Sequence, residues 1–224
     1  MPFYVCDALL FDLDGVLIDS ERTYERHWQR WADRQNVPFE HIAAVHHGRP
    51  AIRTIAMVAP HLDAERESRQ FNAGIEADMN MEGLRAYDGA ALLLHRLPVD
   101  RWAIATSSPR RFAVSRLRHL GLSMPKVLVT LDDVVNGKPA PDPYLQAAEG
   151  IGMAPSRCIV IEDAPAGIEA AKAAGARVIA IASTNPPEAL QAADAIVPRL
   201  VDLAIRSGDA GLHVTWPKNE LRGK

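Results

Sequence analysis

Two aspartates separated by one residue give the strongest chemical signal in the chain. Asp12 and Asp14 follow the apolar run ALLF and precede Gly15, which lets a ligand approach the backbone closely. A carboxylate pair at the end of an apolar strand can bind a divalent cation while one carboxylate attacks an electrophile. Because a DxDG turn can also be a solvated loop, the pair by itself leaves both interpretations open.

Further polar residues follow later strand-like runs. Thr106 and Ser107 come after WAIA, where a hydroxyl and N–H groups ahead of a helix suit a phosphate oxygen. Lys138 lies in the proline-stiffened stretch GKPAPDPY and can screen charge between acids and a phosphate, while Glu162 and Asp163 end the run CIVIED. Each group is ordinary alone, since hydroxyls and acids cap helices and lysines lie on surfaces. Together they supply a nucleophile, metal-binding acids, phosphate donors and a balancing cation.

Alternating apolar and amphipathic stretches from about residue 86 onward predict βαβ units. Strands are expected at 8–12, 102–106, 126–130, 158–163, 177–182 and 195–197, and helices at 109–120, at 143–152 and after Pro165. Such apolar strands are typical of a parallel sheet covered on both faces. The sequence therefore predicts an α/β fold with a Rossmann-like parallel-sheet core. Residues 207–224 are expected to form a short strand or a loose tail.

Residues 18–85 interrupt this pattern. Apolar residues recur there at helical spacing, strand candidates are nearly absent, and Trp28 and Trp31 are expected in the helical core. An insertion after the first strand would lie above the strand's carboxyl end, where open α/β sheets bind ligands. We therefore expect a core of residues 1–17 and 86–224 and an inserted all-helical cap of residues 18–85.

Composition limits the classes of function. The chain has 224 residues, 48% of them hydrophobic and 24% charged, which is typical of a soluble globular protein. A net charge of −3 gives little attraction to nucleic acid or an anionic membrane, and no apolar run approaches the ~20 residues that span a bilayer. We expect a cytoplasmic monomer that binds neither nucleic acid nor membrane. Cys6 and Cys158, in apolar runs, are expected to be buried free thiols.

The order of the motifs DLDGV, ATSS, GKPAPDPY and IEDAPAGIEAAKAAG, over about residues 7–182, resembles that of the haloacid dehalogenase superfamily. This resemblance implies that Asp12 is a nucleophile that forms an aspartyl phosphate. It implies that Asp14 protonates the leaving alcohol and then activates water. It also implies that Mg²⁺ is bound by the Asp12 and Asp163 carboxylates and the Asp14 main-chain carbonyl, with Glu162 joining directly or through water.

The same resemblance implies how phosphate is held. Thr106, the Ser107 amide and Lys138 would bind the phosphate, and Gly15 would border the substrate. Phosphoryl transfer needs in-line positioning and neutralisation of oxygen charge, which Mg²⁺ and one lysine provide. The implied cofactor is therefore Mg²⁺, and the implied substrate is a small phosphate ester.

Differences between this sequence and particular members of the superfamily reduce the number of possible reaction types. Dehalogenases lack the second acid, so Asp14 favours phosphate chemistry, and residues 18–85 contain no lysine for the Schiff base of phosphonate-cleaving relatives. The β-phosphoglucomutase relatives carry a histidine where this chain has Tyr24. A phosphoric monoester hydrolase is therefore favoured. A phosphosugar mutase and a non-catalytic phosphometabolite-binding protein remain alternatives.

The stretch VHHGRP resembles the substrate-specificity loop of members with a helical cap. Together with LPVDRWAIATSSPRR and KPAPDPYL, it is most similar to phosphatases of glycerol 3-phosphate, 2-deoxyglucose 6-phosphate and hexitol phosphates, which implies a small sugar or polyol phosphate as substrate. His47, Gly48 and Arg49 are candidate substrate contacts. Helix capping or solvation is the alternative role for the histidine and the arginine.

Overall fold

A six-stranded parallel sheet forms the centre of the molecule in the computed structural model, which describes residues 1–46, 49–77, 81, 83–208 and 211–218. The strands are β1 (Phe3–Cys6), β2 (Ala8–Phe11), β3 (Ile18–Asp19), β4 (Arg85–Ala86), β5 (Trp102–Ala105), β6 (Leu128–Val129), β7 (Cys158–Glu162), β8 (Arg177–Ile181), β9 (Ala195–Val197), β10 (Ala204–Gly208) and β11 (Gly211–Thr215). The α-helices are α1 (Glu21–Gln35), α2 (Phe39–Ala43), α3 (Ala51–Val58), α4 (Ala64–Ala77), α5 (Ala90–Arg96), α6 (Arg110–His119), α7 (Asp142–Gly150) and α8 (Pro165–Ala173).

The parallel sheet has the strand order β6-β5-β2-β7-β8-β9, which confirms the predicted α/β fold with a Rossmann-like core. Phe11 at the end of β2 lies opposite Ile104 of β5 and Ile161 of β7. From β2 the chain first adds strands on one side and later on the other, so the strand order switches at β2. The residues that follow these three strands therefore meet at one edge, beside the switch point.

Both faces of the sheet are covered by apolar side chains, as the apolar runs predict. Leu9 and Phe11 pack on the face that also contacts Leu94 of α5 and Leu117 of α6. The intervening Leu10 packs on the opposite face, where α7 and α8 supply their buried residues. Successive side chains of a strand point to opposite faces, and each buried Leu or Phe stabilises the fold by about 1.5–3 kcal/mol.

Helices α1 to α4 share a separate apolar cluster. Trp28 and Trp31 are buried in it as expected, with Trp28 stacked on Phe71 at 3.9 Å between ring centroids. Phe112 of α6 joins the same cluster, so the helical insertion packs against the sheet layer through an apolar contact. Strands β3 and β4 form a two-residue antiparallel ribbon where the insertion leaves and rejoins the core. The ribbon lies at the predicted boundary, and the division into two domains stays a prediction.

Two predicted segments have other bounds in the structure. The run 126–130 forms only the short β6. The stretch 207–224, expected as a short strand or a loose tail, contains the strand β11 and the end of β10, a hairpin that pairs through β11 with β1 in a three-stranded antiparallel sheet. The hairpin is held because Leu212, Val214 and Trp216 are buried against the core, with Trp216 5.0 Å from the Tyr4 ring.

Both cysteines are buried and free, as predicted. Within the described ranges, no helix combines the length and apolar character needed to cross a membrane.

Candidate active site

A cavity lies between the carboxyl edge of the parallel sheet and the helical insertion. Its strand-end wall includes Asp12, Asp14, Gly15, Thr106, Ser107 and Asp163, and its helical wall includes Glu21, Tyr24, Trp28, His46, Arg49 and Asn72. The strand-end residues come together because they follow β2, β5 and β7, which end at the same edge. Arg49 also donates from Nη1 to the Val45 carbonyl at 2.6 Å. His47 and Gly48 lie outside the described residues.

Lys138 lies behind Asp12 with its side chain fully buried. Its ammonium donates to Asp12 Oδ1 in a short contact and to Glu162 Oε1 at 2.7 Å. Burial opposes the charged form, but the two carboxylates raise the pKa of Lys138 well above its ordinary value. The lysine therefore stays charged and neutralises acid charge beside the predicted nucleophile.

Both carboxylate oxygens of Glu162 accept hydrogen bonds from other groups of the protein. Oε1 accepts from Lys138 and from the Tyr144 hydroxyl at 3.0 Å, and Oε2 accepts from the Asp163 and Ala164 N–H groups at 2.7 and 2.9 Å. Burial opposes ionisation, but Lys138 and these donors lower the pKa of Glu162. Two donors per oxygen fill its acceptor capacity. The arrangement therefore favours a role in fixing Lys138 over the predicted one as a metal ligand.

The Asp163 carboxylate packs against Gly15. Gly15 has φ +89°, and a Cβ there would overlap the Asp163 carboxylate. Asp163 Oδ2 accepts a short hydrogen bond from the Thr184 hydroxyl, and Asn185 donates to the Asp163 carbonyl at 3.1 Å. Sequence reasoning missed Thr184 and Asn185, although polar residues just after a further apolar strand were a usable signal.

One carboxylate oxygen at this edge of the sheet is left for a cation to bind. Asp163 Oδ1 is buried and, among the described residues, has no hydrogen-bond partner. Burial, reinforced by Glu162 and Asp12, raises the pKa of Asp163 well above its ordinary value, and burial raises that of Asp12 to about 8 despite Lys138. Two buried carboxylates that disfavour their own charge suit a divalent cation.

The predicted Mg²⁺ site fits this donor set. Within the described residues, no three His, Cys, Asp or Glu side chains form a metal cluster by themselves. Mg²⁺ does not require one, because it is usually held by one or two carboxylates and keeps several waters. The Asp12 and Asp163 carboxylates with the Asp14 main-chain carbonyl would supply such a set.

Asp14 belongs to a closed ring of side chains, here called the Asp14 ring: Asp14, Ser108, Tyr24 and Arg116. Asp14 Oδ2 accepts from the Ser108 hydroxyl at 2.8 Å, which lies 2.9 Å from the Tyr24 hydroxyl. Arg116 Nη1 donates to Tyr24 Oη at 3.3 Å and to Asp14 Oδ1 at 2.8 Å. Asp14 Oδ1 also accepts from the Ser20 hydroxyl at 2.6 Å. The ring joins the sheet edge, α6 and α1.

Sequence reasoning missed Arg116, although the chain contains a signal for it. In α6 the buried residues are Phe112, Ala113, Arg116 and Leu117, so the arginine lies on the apolar face of its helix. A charge on a buried face requires a partner. The acid that satisfies it lies in another part of the sequence, which helical spacing alone does not reveal.

The residues predicted to bind phosphate lie in the turn after β5. The Thr106 hydroxyl accepts from the Ser108 N–H at 3.1 Å, which holds the turn after β5 in place. Thr106 and Ser107 line the cavity together with Asp12. Their roles toward a phosphate stay predictions.

The fold and site place the chain among α/β enzymes that work at the carboxyl ends of parallel strands. Residues 6–175 match the family described as haloacid dehalogenase-like hydrolase, and the chain belongs to that family.

Known relatives match most of the chain and most of their own length. Hexitol phosphatase A of Escherichia coli (strain K12) is 40% identical over 212 residues, covering 90% of this chain and 91% of that protein. Glycerol-1-phosphate phosphohydrolase 2 of Saccharomyces cerevisiae is 36% identical, covering 80% of this chain and 75% of that protein. A solved structure of a hydrolase from Pseudomonas syringae has a TM-score of 0.77 at 30% identity, covering 88% of this chain and 95% of that one.

Proposed function

We propose that the chain is a Mg²⁺-dependent phosphatase that hydrolyses a small sugar or polyol phosphate through an aspartyl phosphate on Asp12. The observation that carries the proposal is Asp12 at the end of β2, backed by the buried Lys138 and sharing a cavity with Asp14. Relatives named for hexitol and glycerol-1-phosphate support this class of substrate. The chain is thus a phosphoric monoester hydrolase.

In the first half-reaction, the Asp12 carboxylate attacks the phosphorus and the ester P–O bond breaks. The Thr106 hydroxyl and the Ser107 N–H hold the phosphate oxygens, Lys138 balances the negative charge from behind Asp12, and Asp14 gives a proton to the leaving alcohol. Mg²⁺, held by Asp12, Asp163 and the Asp14 carbonyl, would neutralise charge shared by the phosphate and the acids.

In the second half-reaction, Asp14 takes a proton from a water molecule, which attacks the aspartyl phosphate and releases inorganic phosphate and Asp12. The helical insertion acts as a cap. It covers the cavity and limits the access of bulk water. Its wall combines the rings of Trp28 and Phe71 with the polar groups of Arg49 and Asn72. Such a mixed wall suits the carbon skeleton and the hydroxyls of a polyol. A cytoplasmic monomer remains the expected form.

The test is phosphate release by the purified protein with Mg²⁺ against hexitol, glycerol, deoxyglucose and nucleotide phosphates. We expect the sugar and polyol phosphates to be hydrolysed fastest, and Asp12→Asn to abolish turnover while circular dichroism stays unchanged. Hydrolysis retained by Asp12→Asn contradicts the covalent mechanism. Conversion of one sugar phosphate into another without phosphate release identifies a mutase, and binding without any reaction identifies a binding protein.

A further inference from the structure

Arg116 is a buried charge that the proposed hydrolysis leaves without a role. It lies on α6, is 4% exposed, and is absent from the residues that line the cavity. Desolvation strongly disfavours a buried arginine unless its charge is matched. The partner that matches it, Asp14, is the proposed acid and base of the reaction.

The guanidinium serves two groups through one nitrogen. Nη1 donates to both Asp14 and Tyr24, while Nη2 has no hydrogen-bond partner among the described residues. The guanidinium carbon lies 4.9 Å from the Tyr24 ring centroid and 5.7 Å from that of Phe112. Stacking on two aromatic rings restricts the guanidinium more than the single ion pair would.

Three donors hold the Asp14 carboxylate, and they differ in kind. The hydroxyls of Ser20 and Ser108 carry no charge and can accept as well as donate. Arg116 can only donate, brings a full charge, and is fixed by its rings. Of the three donors, Arg116 therefore has the greatest power to set the direction of the carboxylate.

We propose that Arg116 is a positioning residue that orients the Asp14 carboxylate and links its orientation to Tyr24 of the helical insertion. The inference rests on the proposed phosphatase function, because it assigns Arg116 a role in proton transfer by Asp14. Arg116 acts through Asp14 and does not contact the substrate. Its loss should lower kcat and leave KM nearly unchanged, since the cavity wall stays intact.

The experiment compares Arg116→Met with Arg116→Lys on the preferred substrate. A carboxylate displaced by about 1 Å costs on the order of 100-fold in rate, so we expect Arg116→Met to lower kcat by about 30–100-fold with KM within about 3-fold. Arg116→Lys restores the charge and should recover at least about 10-fold of that loss. Arg110→Met is the matched control, because Arg110 lies on the same helix but pairs with Asp133 at 2.7 Å outside the cavity. The kcat of Arg110→Met should stay within about 2-fold of that of the original chain.

A double-mutant cycle with Asp14→Asn separates positioning from a structural role. With an activated aryl phosphate as substrate, adding Arg116→Met to Asp14→Asn should lower the residual rate by less than about 2-fold. An equal loss in both backgrounds overturns the proposal, as does an Arg116→Met variant with kcat within about 3-fold of the original. If Arg116→Met does not fold, Arg116→Gln, which removes the charge but keeps a polar side chain, is compared in the two backgrounds by the same criterion. An unmutated chain that hydrolyses no phosphate ester contradicts the proposed function instead.

Discussion

The two walls of the cavity are held in different ways. Asp163 on the strand-end wall, and Lys138 and Glu162 behind it, are almost fully buried, and protein donors or acceptors fix their side chains. On the helical wall, Arg49 and Asn72 are only half-buried. The difference indicates that the groups proposed for the reaction are fixed before a ligand arrives, whereas the groups proposed for recognition are held less completely by the protein. Substitutions on the first wall should therefore change the rate and the stability, and those on the second should change affinity.

The largest effect is expected from Lys138→Met. The change leaves Asp12 and Glu162 facing each other without a cation, so kcat should fall by about 10³-fold or more and stability by about 3–5 kcal/mol. The control is Lys172→Met, because Lys172 pairs with Asp194 at 2.8 Å with 43% of its side chain exposed. That variant should lose less than about 1 kcal/mol in chemical denaturation. Equal losses in the two variants would remove the distinction between the buried and the exposed lysine.

Two helical glycines offer the same substitution with opposite outcomes. A Cβ on Gly167 would overlap the Glu162 carboxylate, which four donors hold in place, while a Cβ on Gly74 of α4 meets no atom within 4 Å. Gly167→Ala should cost about 3 kcal/mol and most of the activity. Gly74→Ala should gain about 0.5–1 kcal/mol, because alanine favours a helix interior. Denaturant unfolding measures both, and a neutral Gly167→Ala would show that the strand-end wall can adapt.

The buried acids predict how stability changes with pH when Mg²⁺ is removed. The pKa of Asp12 is raised to about 8 from 3.8, chiefly by burial, so the folded protein holds this proton more tightly than the unfolded chain. This contribution to stability is complete below pH 3.8 and is lost as the pH rises toward 8. In the presence of a chelator, the Tm should therefore fall as the pH rises from 5.5 to 8. Added Mg²⁺ should raise the Tm most at pH 8. The Asp12→Asn variant has no carboxyl group to titrate at this position. Parallel plots of Tm against pH for the variant and the original chain would therefore contradict the assignment of this pH dependence to Asp12.

The smallest effect is expected on the helical wall. The Asn72 amide lines the cavity and can both donate to and accept from a hydroxyl. Asn72→Ala should raise KM for the polyol phosphate by about 3–10-fold with kcat unchanged. KM for an aryl phosphate without hydroxyls should not move. A fall in kcat for both substrates would place Asn72 among the groups that serve the reaction.

The sequence was enough to locate much of the candidate site, because its strands are marked by apolar runs. A polar residue after such a run lies at the carboxyl edge, which is how Asp12, Thr106 and Asp163 were found. Which of two adjacent acids faces the cavity depends on the phase of the strand, since neighbouring side chains point to opposite sides. Glu162 and Asp163 therefore face different surroundings. The apolar pattern of the sequence did not show which of them faces the cavity.

Non-local pairing accounts for most of what was missed in the fold and the site. Arg116 and Asp14 meet although 101 residues lie between them, and β11 pairs with β1 near the start of the chain. Local propensity carries no information about such distant partners. The helical stretches were predicted more completely, because their apolar spacing is determined within each segment.

The pairing of β1 with β11 has a consequence for the order of folding during synthesis. Phe3 lies opposite Thr215, so β1 leaves the ribosome long before its partner exists. At ~5–20 residues per second, translation of the intervening chain takes roughly 10–40 seconds. Through that interval the nascent protein can assemble the parallel sheet but must leave β1 unpaired, and closure of the small antiparallel sheet becomes a late step of biogenesis.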